Sequence, residues 1–167
     1  MTIGDQTRFA IRFEILDSST WKNGKFEFIA NGKSIGNYDR GTSIEVAIAG
    51  LKRLLLRSSQ RANGRLFSLT ATEAISTVHR ALFEDDGRTD DEIERDSRTF
   101  SAFHVSGFCD SFDDWFCILI ENEEVGRLIW SEFAKLSKPM EVVLEHGEFD
   151  AVCLGCIDAF AAQYGGQ

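Results

Sequence analysis

Along the N-terminal part of the chain, apolar and polar residues alternate. In "RFAIRFEIL", Phe9, Ile11, Phe13 and Ile15 fall on one face and Arg12 and Glu14 on the other, which predicts a strand with one buried face. "KFEFIANGKSIGNY" repeats the alternation around Asn31-Gly32, a pair suited to the positive φ angles of a tight hairpin turn. From Thr42 the period changes. Ile44, Ile48, Leu51 and Leu55 share one helical face, Thr42 and Glu45 make a capping box, and Lys52, Arg53 and Arg57 gather toward the C-terminal end. That helix is expected to end before Asn63-Gly64. A second Thr-x-x-Glu pair, Thr70 and Glu73, opens a helix with Ile75, Val78 and Leu82 inward, fading at Phe83.

Residues 84–96, "EDDGRTDDEIERD", hold eight acids and two arginines, and the pattern predicts a solvated loop. Strand character returns in "RTFSAFHVSG". In "DWFCILIENEEVGRLIWSEF" two β-rich runs flank "ENEEVG", a second hairpin, and "MEVVLEHG" after Pro139 gives a last strand. Phe149, Cys153, Cys156, Phe160 and Tyr164 then recur at helical spacing as an apolar stripe. The expected fold is mixed α+β, a single domain over residues 1–167. It has a twisted, mostly antiparallel sheet of about six to seven strands, with about three helices packed on its apolar face.

Composition adds a compartment and a partner. With 43% hydrophobic residues among 167, the chain has ample material for one core. No run approaches the ~18 apolar residues of a membrane span, and "MTIGDQTRFA" has no signal-peptide pattern, so a cytoplasmic location is expected. The 18 Lys and Arg against 27 Asp and Glu give a net charge of -9, which opposes direct contact with nucleic acid or an anionic membrane and points to a basic partner. The four cysteines are expected as buried, reduced thiols.

Candidate chemistry is sparse. "EHGEFDAVCLGC" holds the residue types of a zinc deaminase, His146-x-Glu148 and Cys153-x-x-Cys156, but such sites draw the two halves from separate helix starts. Here both lie on one short segment, and the proline expected before the first cysteine is Val152. Cys153 in the first turn of a helix has the dipole to lower a thiol pKa, while burial opposes it. "GNYDRGTS", Gly36 to Ser43, imitates a phosphate loop without its lysine, and a turn followed by a helix cap explains it better. His79, His104 and His146 lie on different elements beside no recognisable nucleophile. Arg53, Arg57, Arg61 and Arg65 recur every four residues and are expected to form a solvated face. The acids match no Ca²⁺ or Mg²⁺ loop register.

Two acidic stretches remain: residues 84–96, and 110–124 with Asp110, Asp113, Asp114, Glu121, Glu123 and Glu124. Either they are solubility charge, or they bind a basic protein, with Phe112 and Trp115 as aromatic anchors within a charged rim.

The blocks "IGDQTRFAIRFEI", "WKNGKFEFIANGKSIGNYDRGTS", "GRLIW" and "GEFDAV" together resemble immunity family 42 of bacterial polymorphic-toxin and contact-dependent growth inhibition systems. In the first 45 residues, Gly4, Asp5, Trp21, Gly24, Asn31, Gly32 and Gly36 sit between strands in the family's order, while residues 60–110 carry no such likeness. The resemblance implies a small cytoplasmic protein that binds the C-terminal domain of its cognate toxin and silences it. It implies no catalytic residue, cofactor or metal. Joined to the charge of -9, it suggests a toxin that is a basic nuclease, an RNase, covered by an acidic surface. The residues expected at that contact are Asp85, Asp86, Asp90, Asp91, Glu92, Glu94, Asp110, Phe112, Asp113, Asp114 and Trp115. The competing readings are a small metal- or thiol-dependent enzyme built on Cys153 and Cys156, and an acidic adaptor subunit.

Overall fold

In the computed structural model, which describes residues 1–17 and 22–164, the chain folds around two antiparallel sheets. In the first, β1 (Thr2–Asp5), β2 (Phe9–Asp17), β3 (Asn23–Ala30) and β4 (Lys33–Ile35) lie in that order, and β5 (Thr42–Ser43) pairs with β3. In the second, β6 (Trp115–Glu121), β7 (Val125–Glu132) and β8 (Met140–Glu145) lie side by side. Trp21, one of the residues carrying the family likeness, falls outside the described residues.

Both expected hairpins form. Asn31 and Gly32 take φ of 50° and 69°, the left-handed pair that a two-residue turn requires, and Ala30 pairs with Lys33. Glu121 pairs with Gly126 across the second turn. In the β2–β3 ladder Phe9 opposes Ala30, Ile11 opposes Phe28 and Phe13 opposes Phe26 on the buried face. Arg12 opposes Glu27 on the other face.

The expectation of one sheet is corrected to two, and β6 supplies the reason. Its run "FCILI" is buried at every position, so neither face is left for solvent. Cys117 and Leu119 join a core with Phe9, Ile11, Phe26, Phe28, Ile44 and Leu51. Phe116, Ile118 and Ile120 join another with Leu66, Ile75, Val78 and Phe103. A strand with apolar side chains on both faces belongs between two packed layers, and the second sheet holds that position.

Five α-helices lie among the described residues, against three expected: α1 (Ile44–Leu56), α2 (Gly64–Ser68), α3 (Ala71–Phe83), α4 (Asp90–Phe100) and α5 (Glu148–Tyr164). α1 is capped by Ser43, whose hydroxyl accepts from the Val46 amide, one residue after the expected cap Thr42, which belongs to β5. Asn63 caps α2, and Thr70 with Glu73 makes the expected capping box of α3. α4 replaces the expected loop. Thr89 and Glu92 form a third capping box, Asp90 and Asp91 lie in the first turn, and Arg98 lies in the last, each where the helix dipole favours it.

"RTFSAFHVSG" is a further correction, because it spans the end of α4 and an extended stretch that borders β6. Val105 donates to the Cys117 carbonyl at 2.9 Å, and Leu119 donates to the Phe103 carbonyl at 2.9 Å. Phe108, which follows this stretch, packs on Gly50 of α1, where an added Cβ would stand 2.3 Å from its ring. α5 closes the first core by laying Phe149, Cys153 and Cys156 against α1, β1 and β2. No helix among the described residues is long and apolar enough to cross a membrane.

Candidate binding surface

The segment that looked most chemical is a corner. Gly147, with φ of 77°, turns the chain from β8 into α5. Glu148 then accepts from Arg8 Nε at 2.9 Å and from the Glu145 amide at 2.8 Å. The hydrogen bond from Arg8, ahead of burial, holds its carboxyl below the usual range. Cys109, Cys117, Cys153 and Cys156 are all free and buried. Burial pushes the Cys156 thiol up to about 12 and raises Cys153 and Cys117 as well, which opposes thiolate formation. Among the described residues no group of three or more His, Cys, Asp or Glu side chains is placed to hold a metal ion.

The expected contact residues separate into two places. On and before α4, most of the acids are engaged by their neighbours. Asp86 accepts from Arg80 Nε at 2.9 Å and Arg88 Nε at 2.6 Å, and these hydrogen bonds lower its pKa. Glu92 serves the Thr89 cap, whose backbone and side-chain hydrogen bonds lower its pKa too. Glu94 pairs with Arg98 one turn on, and Asp96 with Arg88 at 2.7 Å. Asp85, Asp90 and Asp91 are exposed, and among the described residues none of them has an ion-pair partner. This surface is less negative than residues 84–96 suggest, because arginines of α3 and α4 fold onto it.

The other place is a cleft of about 760 Å³ where the first sheet meets the start of β6 and the end of β7. Asp113, Asp114 and Trp115 line it, and so do Arg12, Glu27, Tyr38, Asp39 and Glu132. None of the α4 acids does. Backbone contacts fasten its walls: the Asn37 amide donates to the Ser111 carbonyl at 2.7 Å, and the Phe133 amide to the Asp114 carbonyl at 3.0 Å. Gly36, with φ of 107°, lets the chain pass over Phe112 and Ser111, which lie within 3.3 Å of where its Cβ would be. Asp110 is exposed beside this corner, and its carbonyl accepts from Arg40.

Phe112 is corrected from anchor to core. It has 0% exposure, and its ring packs on Phe28 at 4.8 Å between centroids and on Phe108 at 5.2 Å. Trp115 is half-buried, lining the cleft while also packing on the first core. Asp113 and Asp114 share one cation, Arg40, at 3.1 and 3.7 Å, so one negative charge stays uncompensated there. Arg12, Glu27 and Tyr38 escaped the sequence reading. Arg12 and Glu27 face each other across the ladder as an ion pair, and the Arg12 guanidinium lies 4.0 Å from the Tyr38 ring centre. Glu27 is 1% exposed, and burial, ahead of every other cause, raises its pKa. Asp39 is held low by the hydrogen bond from Lys25 at 2.8 Å. The available signal was a charged residue inside the otherwise apolar "FEFIA".

The arginine stripe is corrected at one position. Arg53, Arg57 and Arg65 are exposed, but Arg61 has 0% exposure. It donates to Asp150 at 2.7 Å and to the Leu54 carbonyl at 2.6 Å, lies 3.5 Å from Glu121, and covers the Phe149 ring. One guanidinium thus joins the end of α1, the end of β6 and the first turn of α5.

Comparison with known proteins follows this geometry. The crystal structure of CdiI from Burkholderia dolosa AUO158 superposes with a TM-score of 0.76, covering 95% of this chain and 99% of that one at 21% identity. At that identity the match establishes a common fold. No curated protein sequence matches. The model of the immunity protein 42 family matches residues 1–159, which takes in both sheets, the cleft and most of α5. The chain therefore belongs to the immunity protein 42 family.

Proposed function

We propose that this protein is the cytoplasmic antidote of a contact-dependent growth inhibition system, binding the C-terminal toxin domain of its cognate effector one to one and occluding it. The observation that carries this reading is the family match over residues 1–159. The shared fold with CdiI supports the system to which it is assigned. A non-catalytic role is supported by the burial of all four thiols and their resistance to ionisation.

The toxin is a basic nuclease, most simply an RNase. A site that holds a phosphate backbone must be rich in Lys and Arg, and this chain offers a net charge of -9 with carboxylates collected around a cleft. Opposite charge of this kind brings association toward ~10⁸ M⁻¹s⁻¹ at low salt, which suits an inhibitor that must act before the toxin turns over.

The test is co-production of this chain with the toxic C-terminal domain encoded beside its gene. The expected result is a stoichiometric complex, cell survival, and RNA left intact in a purified reaction. A toxin that degrades no RNA would remove the RNase assignment. A toxin domain that neither binds nor is silenced would remove the reading itself.

A further inference from the structure

The cleft between the sheets holds a charged group that its own fold leaves incompletely served. Glu27 lies along the cleft with 1% exposure, and among the described residues its Oε1 has no hydrogen-bond partner. Its ion-pair partner, Arg12, meets that oxygen without hydrogen-bonding geometry, and Arg12 Nε is unpartnered as well. An ionised carboxylate has about four acceptor positions, and one this buried is costly to leave unfilled. Arg12 is far more exposed than Glu27, with 39% of its side-chain surface open against 1%.

The rest of the lining selects the sign and shape of an occupant. Asp39, Asp113, Asp114 and Glu132 line the cleft with Glu27; Lys25, Arg40 and Lys135 pair with them from outside it, and Arg12 is the one cation among the lining residues. Tyr38 already carries a guanidinium on its face, which shows that the wall accepts a planar cation. Trp115 offers a second aromatic surface.

We propose that this cleft seats a lysine or arginine side chain projecting from the toxin domain, with Glu27 as its buried acceptor and Asp113 and Asp114 drawing it in. The proposal rests on the toxin-binding function above and names the recognition element within it. Occupation gives Glu27 Oε1 its missing donor, and Arg12 either remains as a second cation or moves out toward Asp39. A cationic side chain buried against a carboxylate at the centre of an interface is the kind of contact that dominates dissociation.

The experiment measures binding of the purified cognate toxin domain to four forms of the chain, with thermal unfolding of each form alone. Glu27→Gln keeps shape and removes the charge; it is expected to unfold at the same or a higher temperature and to dissociate at least ~10-fold faster. Ala134→Arg, on the exposed wall, places a cation in the cleft from the chain itself and is expected to weaken binding without touching Glu27. Asp113→Asn with Asp114→Asn is expected to slow association and flatten its salt dependence, whereas Asp90→Asn with Asp91→Asn, outside the cleft, leaves dissociation unchanged. Truncating the toxin's basic residues one at a time then finds one whose loss is not additive with Glu27→Gln. Wild-type kinetics for folded Glu27→Gln, or for Ala134→Arg should Glu27→Gln fail to fold, overturn the cleft proposal. Failure of the wild-type chain to bind the toxin overturns the underlying function instead.

Discussion

Arg61 stands between Asp150 and Glu121 with no surface of its own, so truncating it strands two carboxylates beside apolar rings. Breaking a buried pair from one side costs about 3–5 kcal/mol. Arg61→Ala is therefore expected to lower the unfolding free energy measured in urea by an amount of that order, while Arg57→Ala on the exposed surface changes it little. His104 gives a second prediction, tied to pH. Burial, with a smaller contribution from His79, holds its pKa at about 4 instead of 6.5. Below pH 6.5 the unfolded chain takes up a proton that the folded chain refuses until about pH 4, so stability falls across that window and levels off beneath it. At ~1.4 kcal/mol per pH unit the loss is of order 3 kcal/mol. His104→Gln should flatten the decline between pH 6.5 and 4 in denaturation measured as a function of pH. These residues were hidden for different reasons. Arg61 shares a four-residue spacing with Arg53, Arg57 and Arg65, but α1 stops at Leu56 and the shared face stops with it. Glu27 reads as an outward position of a half-buried strand, and its burial in a cleft shared with Ser34, Tyr38 and Trp115 is not visible in the local pattern.

α4 shows what local pattern can and cannot announce. Thr89 and Glu92 repeat the signature that marked α3 at Thr70 and Glu73, yet only α3 carries an apolar stripe behind it. With Ile93 and Phe100 as its only large apolar residues and none of its residues fully buried, α4 depends on its cap, its dipole-matched ends and the Arg88 bridge. Thr89→Ala is expected to cost about 1 kcal/mol. Hydrogen exchange would place that loss in α4, with α3 amides unaffected. The hairpins, α3, β8 and α5 were legible because each combines a turn or cap with an unbroken period. The stretch 98–107 reads as a strand in the sequence, but residues 98–100 close α4 and 101–103 form a turn, leaving 104–106 to lie along β6. It meets β6 through isolated bonds and does not continue as a ladder, a distinction that depends on what lies beside it.

On the scale of the molecule, fold class was readable and layer order was not, since "FCILI" signals burial without saying that the two faces serve different cores. The acidic character was equally plain, but which acids are paired and which stay free depends on where Arg80, Arg88 and Arg40 come to rest. α5 carries the widest consequence. It packs on β1 and β2, and Arg8 grips Glu148 across 140 positions of sequence. Ending the chain after Gly147 is expected to abolish cooperative unfolding, observed as loss of a sigmoidal thermal transition by circular dichroism. Contacts of such span form late and slowly, because the intervening chain must close before they contribute. Translation delivers β1 before α5, so the N-terminal sheet waits with its apolar face open until α5 has been made. A product that stops short of α5 is therefore expected to leave that face uncovered and to bind nothing that needs the folded molecule.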